Sequence, residues 1–316
     1  MNRNIMDQVD LLSTEMGLEE GLSFEEKVKA VYPEEYRLWG QDLKSREEIE
    51  RSLQKKFRYE TISRFTKAIK EYRMFDRGDK IAVAISGGKD SLLLAKLFHA
   101  LQKFSDFDFE LEFFCMDPGY LPMNRRLLEF NLAWLGIPAK IYDSDIFAVS
   151  ELSNSKPCYL CARMRRGFLY GRAQELGCNR LALGHHFNDV IETTLLNILW
   201  AGNYKIMMPK IVSSNFENME LIRPMYLVQE KDIIAWRDYA GLKALDCACT
   251  VTRSPESSQR KQIKDLIQRL KEDNPDVERS IFASGENVAV DAILGYSKQG
   301  KKHSFLEHYG DEEWIL

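Results

Sequence analysis

The middle of the chain alternates between short apolar runs and longer segments whose apolar residues recur at helical spacing. The short runs are apolar throughout rather than at every second position, which is typical of strands buried on both faces. Such strands, alternating with helices, predict an α/β fold built on a parallel sheet with helices on both faces. The predicted strands are 80–86, 110–116, 139–143 and 180–184, and the predicted helices that follow them are the segment after Gly88, 123–135, 159–176 and 189–200.

Helical patterns flank this alternation on both sides. Residues 1–50 carry thirteen Asp and Glu against six Lys and Arg, which indicates an acidic helical extension. A helical period then continues from Ile49 to about Met74, with basic residues on its other faces that form either a solvated surface or a contact for phosphates. Further helices are predicted at 230–240 and about 257–272. We therefore divide the chain into an N-terminal extension (1–50), a body (51–290) and a C-terminal tail (291–316).

Composition narrows the class of protein. Of the 316 residues, 45% are hydrophobic and 29% are charged, the balance of a soluble globular protein with a full core. The chain has no run of the roughly 18 apolar residues that a membrane helix needs and no secretory layout at its start, so we expect a cytoplasmic protein without membrane contact. The net charge of −4 does not exclude nucleic-acid binding, because the acidic excess lies in residues 1–50.

The strongest chemical signal is the segment Ser86-Gly87-Gly88-Lys89-Asp90-Ser91, between a predicted buried strand and a predicted helix. Glycines let the backbone approach a ligand closely, and the free N–H groups at a helix start attract negative charge. The spacing differs from the G-x-x-x-x-G-K-[ST] loop of common ATPases and from the G-x-G-x-x-G of dinucleotide-binding folds. The segment therefore predicts either a phosphate-binding loop or an ordinary glycine turn capped by Asp90 or Ser91.

A second signal is a pair of cysteines, Cys158 and Cys161, at the start of a predicted helix. A C-x-x-C pair fits zinc, an iron–sulfur cluster or a redox dithiol, and a tetrahedral zinc site would need further ligands. The other four cysteines are Cys247 and Cys249, which form a C-x-C pair, and Cys115 and Cys178, which we expect to fill small apolar sites.

A third polar segment, Gly184-His185-His186-Phe187-Asn188-Asp189, again lies between a predicted strand and a predicted helix. Two adjacent histidines cannot share one face of a helix, which argues against a simple two-histidine metal site. Asp189 is interpreted either as a helix N-cap or as a catalytic or Mg²⁺-binding carboxylate. All three segments fall at or just beyond the carboxyl end of a predicted strand, the edge where open α/β sheets bind ligands.

The first segment resembles the signature S-G-G-x-D-S of the PP-loop pyrophosphatase superfamily, and the chain as a whole resembles its tRNA 2-thiocytidine synthetase family (TtcA-like). The resemblance implies a Rossmann-like parallel sheet of the adenine-nucleotide α-hydrolase type, with helical additions at both ends. It covers roughly residues 50–290 and rests on long motifs in the same order. These are LQKKFRYETISRFTKAIKEYRMFDRGDKIAVAISGGKDS, CYLCARMRRGFLY, LALGHHFNDVIETTLLN, MMPKI, LIRPMYLVQEKDI and SSQRKQIKDLI.

The resemblance implies that ATP is cleaved between its α and β phosphates, so that AMP activates a carbonyl oxygen. Lys89 would supply positive charge near the phosphates, and Asp90 would position Mg²⁺. The end of the second strand would receive the adenosine. The implied ATP-binding residues are Ser86, Gly87, Gly88, Lys89, Asp90, Ser91, Met116, Asp117, Gly184 and His185, and the implied catalytic residues are Lys89, Asp90, Asp189 and Cys247.

The resemblance also implies a 4Fe–4S cluster held by three cysteines. Cys158 and Cys161 match the C-x-x-C of the family. The third ligand falls in a segment where the family usually has C-x-x-C and this chain has C-x-C, and we prefer Cys247 with Cys249 as the alternative. Three protein ligands leave one iron with an open position that can hold sulfide.

The implied reaction is thiolation of an anticodon-loop cytidine in tRNA, a base that can be splayed out of a single-stranded loop. Adenylation converts the C2 oxygen into a good leaving group and releases pyrophosphate. Cluster-bound sulfide or a persulfide then attacks C2, and AMP leaves with the oxygen. The sulfur would come from a cysteine desulfurase or another donor, and a homodimer stays open. The basic residues that would contact tRNA phosphates are Arg163, Arg165, Arg166, Lys205, Lys210 and Arg223.

Departures from the family pattern keep other functions open. Asn188 stands where family members often have Asp, and the acidic extension lies outside the resemblance. The alternatives are a PP-loop enzyme that activates another base or a small molecule, and a zinc-stabilised nucleotide-binding sensor. A cluster protein is brown whereas a zinc protein is colourless, so colour separates the sensor from the thiolase.

Overall fold

The computed structural model of the chain describes residues 3–18, 21–105, 108–151, 157–245, 255–307 and 309. These residues group into two compact units. The first comprises Met1–Val190 with Met207–Arg260, and the second comprises Ile191–Ile206 with Lys261–Leu316. The division of the chain at residues 50 and 290 stays a prediction. Within the described part, no helix is both long and apolar enough to cross a bilayer.

The elements are named in chain order. The strands are β1 (Lys80–Ile85), β2 (Glu110–Asp117), β3 (Lys140–Asp143), β4 (Arg180–Ala182), β5 (Lys210–Val212), β6 (Glu220–Ile222), β7 (Gly295–Lys298) and β8 (Lys301–Ser304). The helices are α1 (Ile5–Glu15), α2 (Phe24–Val31), α3 (Pro33–Trp39), α4 (Arg46–Gln54), α5 (Arg64–Glu71), α6 (Lys89–Phe104), α7 (Pro122–Leu135), α8 (Ile146–Glu151), α9 (Pro157–Glu175), α10 (Phe187–Leu199), α11 (Glu230–Ala240), α12 (Pro255–Asp273) and α13 (Val277–Ala283).

A sheet with the strand order β3-β2-β1-β4-β6-β5 forms the centre of the first unit. The pairings within it are parallel except at one edge, where β5 runs antiparallel to β6. The predicted α/β fold with a mostly parallel sheet is therefore confirmed. The sequence pattern missed β5 and β6, which have three residues each and, in β5, none that is buried.

Burial explains why the central strands are apolar at every position. In β1 each residue from Ile81 to Ile85 is buried, so both faces of the sheet are covered. On one face, Ala82 and Phe114 pack in a core cluster with Tyr170 of α9. Cys178 belongs to the same cluster and Cys115 is buried, which confirms that these two isolated cysteines fill apolar sites.

The strand order places the two predicted polar segments next to each other. β1 lies between β2 and β4. After β1 the chain adds β2 and β3 on one side of it, whereas β4, β6 and β5 lie on the other side. Such a switch point opens a crevice at the carboxyl ends of the strands. The segment 86–91 follows β1 and the segment 184–189 follows β4, and both therefore border this crevice.

The helix predicted from Ile49 to Met74 is interrupted in the structure. α4 ends at Gln54, a π-helical turn spans Tyr59–Ser63, and α5 begins at Arg64. Buried Thr61 sits in this turn and donates its hydroxyl proton to the carbonyl of Phe57, over 2.6 Å. A π-helical turn widens the helix, and side-chain bonds of this kind often accompany such departures from α geometry. The predicted continuous helix is wrong, although its apolar stripe is largely buried.

The acidic extension is helical, as predicted, and it packs onto the first unit. The N–H of Ile5 donates to the carbonyl of Ala139, beside β3, over 2.9 Å. The indole N–H of Trp134 in α7 donates to the carbonyl of Lys44 over the same distance. Ile5, Val9 and Val28 are fully buried. These contacts make the extension part of the fold rather than a solvated arm.

Candidate active site

The glycine segment Ser86–Ser91 connects β1 to α6 in a conformation that only glycine allows at one position. Gly87 has a φ of +81°, in the left-handed region, and a Cβ there would lie 2.7 Å from Cδ1 of Leu245. The hydroxyl of Ser91 donates to the carbonyl of Gly88 and accepts from the N–H of Ser86, over 2.9 and 3.1 Å. The loop is thus held open at the N-terminus of α6, where anions bind.

The lysine of this loop is held between two carboxylates. Nζ of Lys89 lies 3.2 Å from oxygens of both Asp90 and Glu230. Glu230 begins α11, and its N–H donates to Oδ1 of Asn188 over 2.9 Å. The Lys89 side chain keeps 20% of its surface exposed. Its charge is therefore compensated inside the protein but remains within reach of a ligand.

The segment after β4 closes the other side of the crevice through a reciprocal cap on α10. The N–H of His186 donates to Oδ2 of Asp189 over 3.0 Å, and the N–H of Asp189 donates to Nδ1 of His186 over 3.4 Å. Nε2 of His186 lies 3.7 Å from Oδ1 of Asp90. Asp189 is the third residue of α10, so the N-cap position belongs to His186, and the Asp189 carboxylate instead closes the cap by accepting from the His186 N–H.

A glycine lets the two segments touch. A Cβ on Gly184 would lie 3.2 Å from the carbonyl carbon of Asp90 and from the backbone nitrogen of Ser91. Those neighbours are backbone atoms of the first turn of α6, which cannot swing aside as a flexible side chain would. With glycine at this position, the end of β4 can approach the loop Ser86–Ser91, which we call the phosphate loop after its predicted role.

Charge and burial set the ionisation of this cluster. Burial raises the pKa of Asp189, but the neighbouring His186 and His185 rings, the His186 N–H and the Arg260 guanidinium together outweigh it, and the pKa ends below its ordinary value. Nη1 of Arg260 lies 3.1 Å from Oδ1 of Asp189. Burial lowers the pKa of His185 to about 4, so this imidazole is neutral at pH 7. Asp189 is thus an anion at neutral pH.

The end of β2 forms the third wall of the site. Met116 and Asp117 are buried, and the Asp117 carboxylate accepts from the N–H groups of Gly119 and Tyr120 over 2.9 and 2.6 Å. Nη1 of Arg125 lies 2.7 Å from the same carboxylate. Asp117 therefore shapes the loop that follows β2, and Tyr120 in that loop donates its hydroxyl proton to the carbonyl of Ser86 over 3.1 Å.

One of the predicted cluster ligands, Cys161, is described and half-buried in α9. One turn later, the Arg165 guanidinium lies over the ring of Phe147 at 5.2 Å, and that ring meets Tyr120 edge-on at 6.2 Å. Aromatic contacts therefore connect α9 to the residue that touches the phosphate loop. The Cys158 side chain, and both Cys247 and Cys249, lie outside the part of the chain that the structure describes.

The segment that leads to the C-x-C pair is tied directly to the phosphate loop. The N–H of Leu245 donates to the carbonyl of Gly87 over 3.0 Å, and its side chain packs against Gly87. Cys247 follows two residues later in the sequence. Leu245, which is bonded to Gly87, is therefore separated from Cys247 by a single residue in the sequence.

The donor chemistry fits the implied groups. Oδ1 of Asp90 is buried and accepts no hydrogen bond, although Lys89 and His186 lie nearby, so it keeps lone pairs for a cation. Thiols three residues apart in one helical turn, such as positions 158 and 161, suit an iron–sulfur cluster. Within the described ranges no three His, Cys, Asp or Glu side chains form a metal site by themselves.

The six predicted tRNA-contacting residues differ in exposure. Arg163, Arg166 and Lys205 are exposed. Nζ of Lys210 donates to the carbonyl of Arg73 over 2.7 Å. Arg223 is only 8% exposed and donates to the carbonyl of Met208 over 2.5 Å, and burial lowers the pKa of its guanidinium.

Sequence reasoning missed three residues of this site. Glu230 and Arg260 lie within the quoted motifs LVQEKDI and SSQRKQIKDLI, but nothing local to those motifs links them to Lys89 or Asp189. The third is His186: the sequence marks its neighbour His185 for ATP, and the structure places His186 beside Asp90. The cap that turns His186 towards Asp90 depends on the start of α10, which the sequence placed two residues too late.

Known proteins resemble the chain in sequence. The tRNA-cytidine(32) 2-sulfurtransferase of Syntrophotalea carbinolica is 37% identical over 235 residues, which cover 73% of this chain and 90% of the relative. The protein of the same name from Geotalea uraniireducens is also 37% identical over 235 residues, covering 73% of this chain and 92% of the relative. No family model matches the chain.

The fold also resembles a solved structure, the U34-tRNA thiolase NcsA from Methanococcus maripaludis with its 4Fe–4S cluster. The two superpose with a TM-score of 0.58 at 23% sequence identity, over 75% of this chain and 80% of that one. This likeness shows a shared fold.

Proposed function

The chain belongs to the tRNA-cytidine(32) 2-sulfurtransferase family, and from this premise we propose that it replaces the C2 oxygen of cytidine 32 in tRNA with sulfur. The reaction consumes ATP and forms AMP and pyrophosphate. It uses Mg²⁺ and a 4Fe–4S cluster, and it takes place in the cytoplasm. The sulfur reaches the site from a cysteine desulfurase or another donor, and the proposal is compatible with a homodimer.

One observation carries the proposal beyond family membership. The hydrogen bond from the Leu245 N–H to the Gly87 carbonyl joins the phosphate loop to the segment that holds Cys247 and Cys249. Activation by ATP and delivery of sulfur must act on the same carbon, so the two chemistries need adjacent sites. A simple ATP-binding sensor would not need this junction, which favours the thiolase over the sensor.

The first half of the reaction is adenylation of the cytidine. The C2 oxygen attacks the α-phosphorus, and the bond to pyrophosphate breaks. The N–H groups at the start of α6 and the Lys89 ammonium stabilise the charge that develops on the departing phosphates. Asp90 would hold Mg²⁺ through its buried Oδ1. His186 and Asp189 position Asp90, because the capped ring presents Nε2 to that carboxylate.

The second half replaces the activated oxygen. A bound 4Fe–4S cluster would supply sulfide, and Cys158 and Cys161 would hold it with Cys247 as the third ligand, or with Cys249 in its place. When sulfur bonds to C2, the C2–O bond breaks and AMP leaves with the oxygen. The adenosine binds at the end of β2, where Asp117 fixes the loop that carries Tyr120. Arg163, Arg165, Arg166, Lys205, Lys210 and Arg223 supply contacts for the tRNA backbone.

The test is anaerobic reconstitution with iron and sulfide, followed by incubation with ATP, sulfide and unmodified tRNA. We expect 2-thiocytidine in the digested tRNA only when both cluster and ATP are present. ATP cleavage without thiolated tRNA would contradict the proposal and move the chemistry to another base or to a small molecule. A colourless zinc protein with no turnover would contradict it in favour of the sensor.

The third cluster ligand has its own test. Cys247→Ala is expected to remove iron from the purified protein, and Cys249→Ala, its matched control two residues away, is expected to keep it. Iron and acid-labile sulfide counts decide between them. Iron loss in Cys249→Ala alone would move the third ligand to Cys249.

A further inference from the structure

The second unit ends in a β-hairpin that the family motifs do not include. Its strands pair antiparallel, with Tyr296 opposite His303 and Lys298 opposite Lys301. The turn residues Gln299 and Gly300 have φ values of +51° and +79°, the signs of a tight type I′ turn that matches the twist of a hairpin. The register of the two strands is therefore well defined.

The register separates the hairpin side chains into two faces. Successive strand residues point to opposite faces, so Tyr296, Lys298, Lys301 and His303 share one face. We call this the aromatic face. The rings of Tyr296 and His303 stack on it with centroids 4.8 Å apart and planes at 18°. Lys302 lies on the opposite face, with two serines.

Neither face of the hairpin is covered by other described residues. Every residue of β7 and β8 is exposed except half-buried His303, and Tyr296 keeps 40% of its surface exposed. A two-stranded hairpin without a core beneath it is marginally stable in water. The stacked rings order the hairpin, but they leave its aromatic face open to a partner.

The charge of the hairpin indicates the class of that partner. Residues 292–306 contain three lysines and no Asp or Glu. The next carboxylate, Glu307, lies 3.0 Å from Nδ1 of His303 and accepts from the N–H of Ser304 over 3.2 Å. Its charge is engaged at the open end of the hairpin, away from the lysines at the turn. The aromatic face therefore carries exposed positive charge beside an exposed ring.

We propose that the aromatic face of this hairpin binds tRNA. Lys298 and Lys301 would contact backbone phosphates, and Tyr296 would pack against an unpaired base, the combination that single-stranded nucleic acids select. The inference rests on the proposed function, because that function supplies tRNA as the negatively charged partner. It adds a tRNA-binding surface to a part of the chain outside the residues assigned to tRNA above.

The test compares single-charge variants on the two faces of the hairpin. Lys298→Gln and Lys301→Gln are expected to weaken binding of unmodified tRNA about threefold or more each at low salt, and to reduce the salt slope of log K by about 1. Lys302→Gln removes the same charge from the opposite face and is expected to bind as the wild type does. Fluorescence anisotropy of labelled tRNA with the full chain, at several salt concentrations, measures all three.

A second comparison tests the ring. Tyr296→Ser is expected to weaken tRNA binding by at least about fivefold, whereas Tyr296→Phe keeps the stacking surface and is expected to bind normally. Equal losses in all three lysine variants, or no loss in any, would overturn the inference. Unchanged tRNA affinity with slower sulfur delivery from a donor protein would overturn it in favour of a protein partner. Thiolation by the wild type, measured in parallel, separates these outcomes from failure of the proposed function itself.

Discussion

Two of the lysines in helix α6, Lys89 and Lys96, lie seven residues apart in surroundings that differ completely. Lys89 lies at its first turn, with two carboxylates 3.2 Å from Nζ and a fifth of its side chain exposed. Lys96 lies two turns further on and is 1% exposed, with Nζ bonded to Glu50 over 2.8 Å and to the carbonyl of Leu135 over 2.9 Å. The same residue type thus borders the candidate site in one place and is enclosed by the fold in the other.

Hydration explains the difference. Burial lowers the pKa of Lys96, the nearby Glu50 carboxylate opposes this, and the pKa ends below its ordinary value. A buried ammonium of this kind depends on its partners, because losing one leaves a charge without solvent. Lys89 sits at the crevice, where phosphate oxygens can replace its carboxylate partners when a ligand binds. Mutations should therefore separate activity from stability along a single helix.

The largest effect on activity is expected for Asp90, the neighbour of Lys89 in the first turn of α6. Asp90→Ala should lower ATP-dependent thiolation by roughly a hundredfold to a thousandfold, because it removes the carboxylate nearest the departing phosphates. The thermal unfolding midpoint and the iron content should stay close to those of the wild type. Asp90→Asn, which keeps the shape and removes the charge, is the control and should be nearly as inactive. Undiminished turnover in either variant would contradict the assignment of the phosphate loop.

For Lys96 we expect the opposite result, a loss of stability when its ion pair with Glu50 is broken. Glu50→Ala should reduce the free energy of unfolding by about 3–5 kcal/mol, because it leaves the Lys96 ammonium buried without its ion pair. Lys96→Met should be milder, since Glu50 is 30% exposed and can be hydrated. Urea unfolding of both variants measures the difference. If Lys96→Met were the more destabilising change, the ion pair would not be the source of the effect.

A smaller effect is expected at the second partner of Lys89. Glu230→Gln removes one of its two carboxylates and should change the KM for ATP by roughly tenfold at most, with kcat less affected. The backbone bond between the Glu230 N–H and Asn188 persists in this variant, so stability should change little. Asn188→Ala removes that cap instead and serves as the comparison. A large fall in kcat with normal KM would show that Glu230 acts on the reacting atoms.

The smallest effect is a pH dependence of stability that we expect from His99, close to Lys96. Burial, reinforced by the charge of Lys96, lowers the pKa of His99 from 6.5 to about 4. Between these values the unfolded chain binds a proton that the folded chain does not. Stability that is present above pH 6.5 is therefore lost as the pH falls towards 4.

His99→Gln tests this. Because His99 is partly exposed, we expect the variant to remove only about 1 kcal/mol of the acid-side loss. Urea midpoints at pH 7 and pH 4.5 measure it. An unchanged difference between the two midpoints would show that His99 does not contribute. The carboxylate of Glu50 and the cations Arg46 and Lys103 also face this ring. The wild type and His99→Gln share these neighbours, so the difference between the two proteins reports on His99.

Much of the fold was readable from the sequence because the central strands are long and apolar. β1, β2 and the helices after them fall within a residue or two of their predicted positions. Prediction failed where structure depends on partners distant in sequence. The short strands β5 and β6 form by pairing with each other and with the more distant β4. The π-helical turn between α4 and α5 is a local failure of prediction instead, where Thr61 bonds to the carbonyl of Phe57.

The candidate site shows the same limit. Motifs identify the residues at strand ends, because the glycines and polar residues of such a loop are neighbours in the sequence. They do not show that Glu230 meets Lys89 across 141 positions or that Arg260 meets Asp189 across 71. Long-range ion pairs leave no local pattern, and only the folded chain brings these residues together.

The most direct test of the account is the stoichiometry of a single thiolation. Anaerobic protein with a full cluster, ATP, sulfide and unmodified tRNA should give one AMP and one pyrophosphate for each 2-thiocytidine formed. Thiolation accompanied by ADP and phosphate, or thiolation without ATP, would contradict the assignment of the loop Ser86–Ser91 to adenylation of the base.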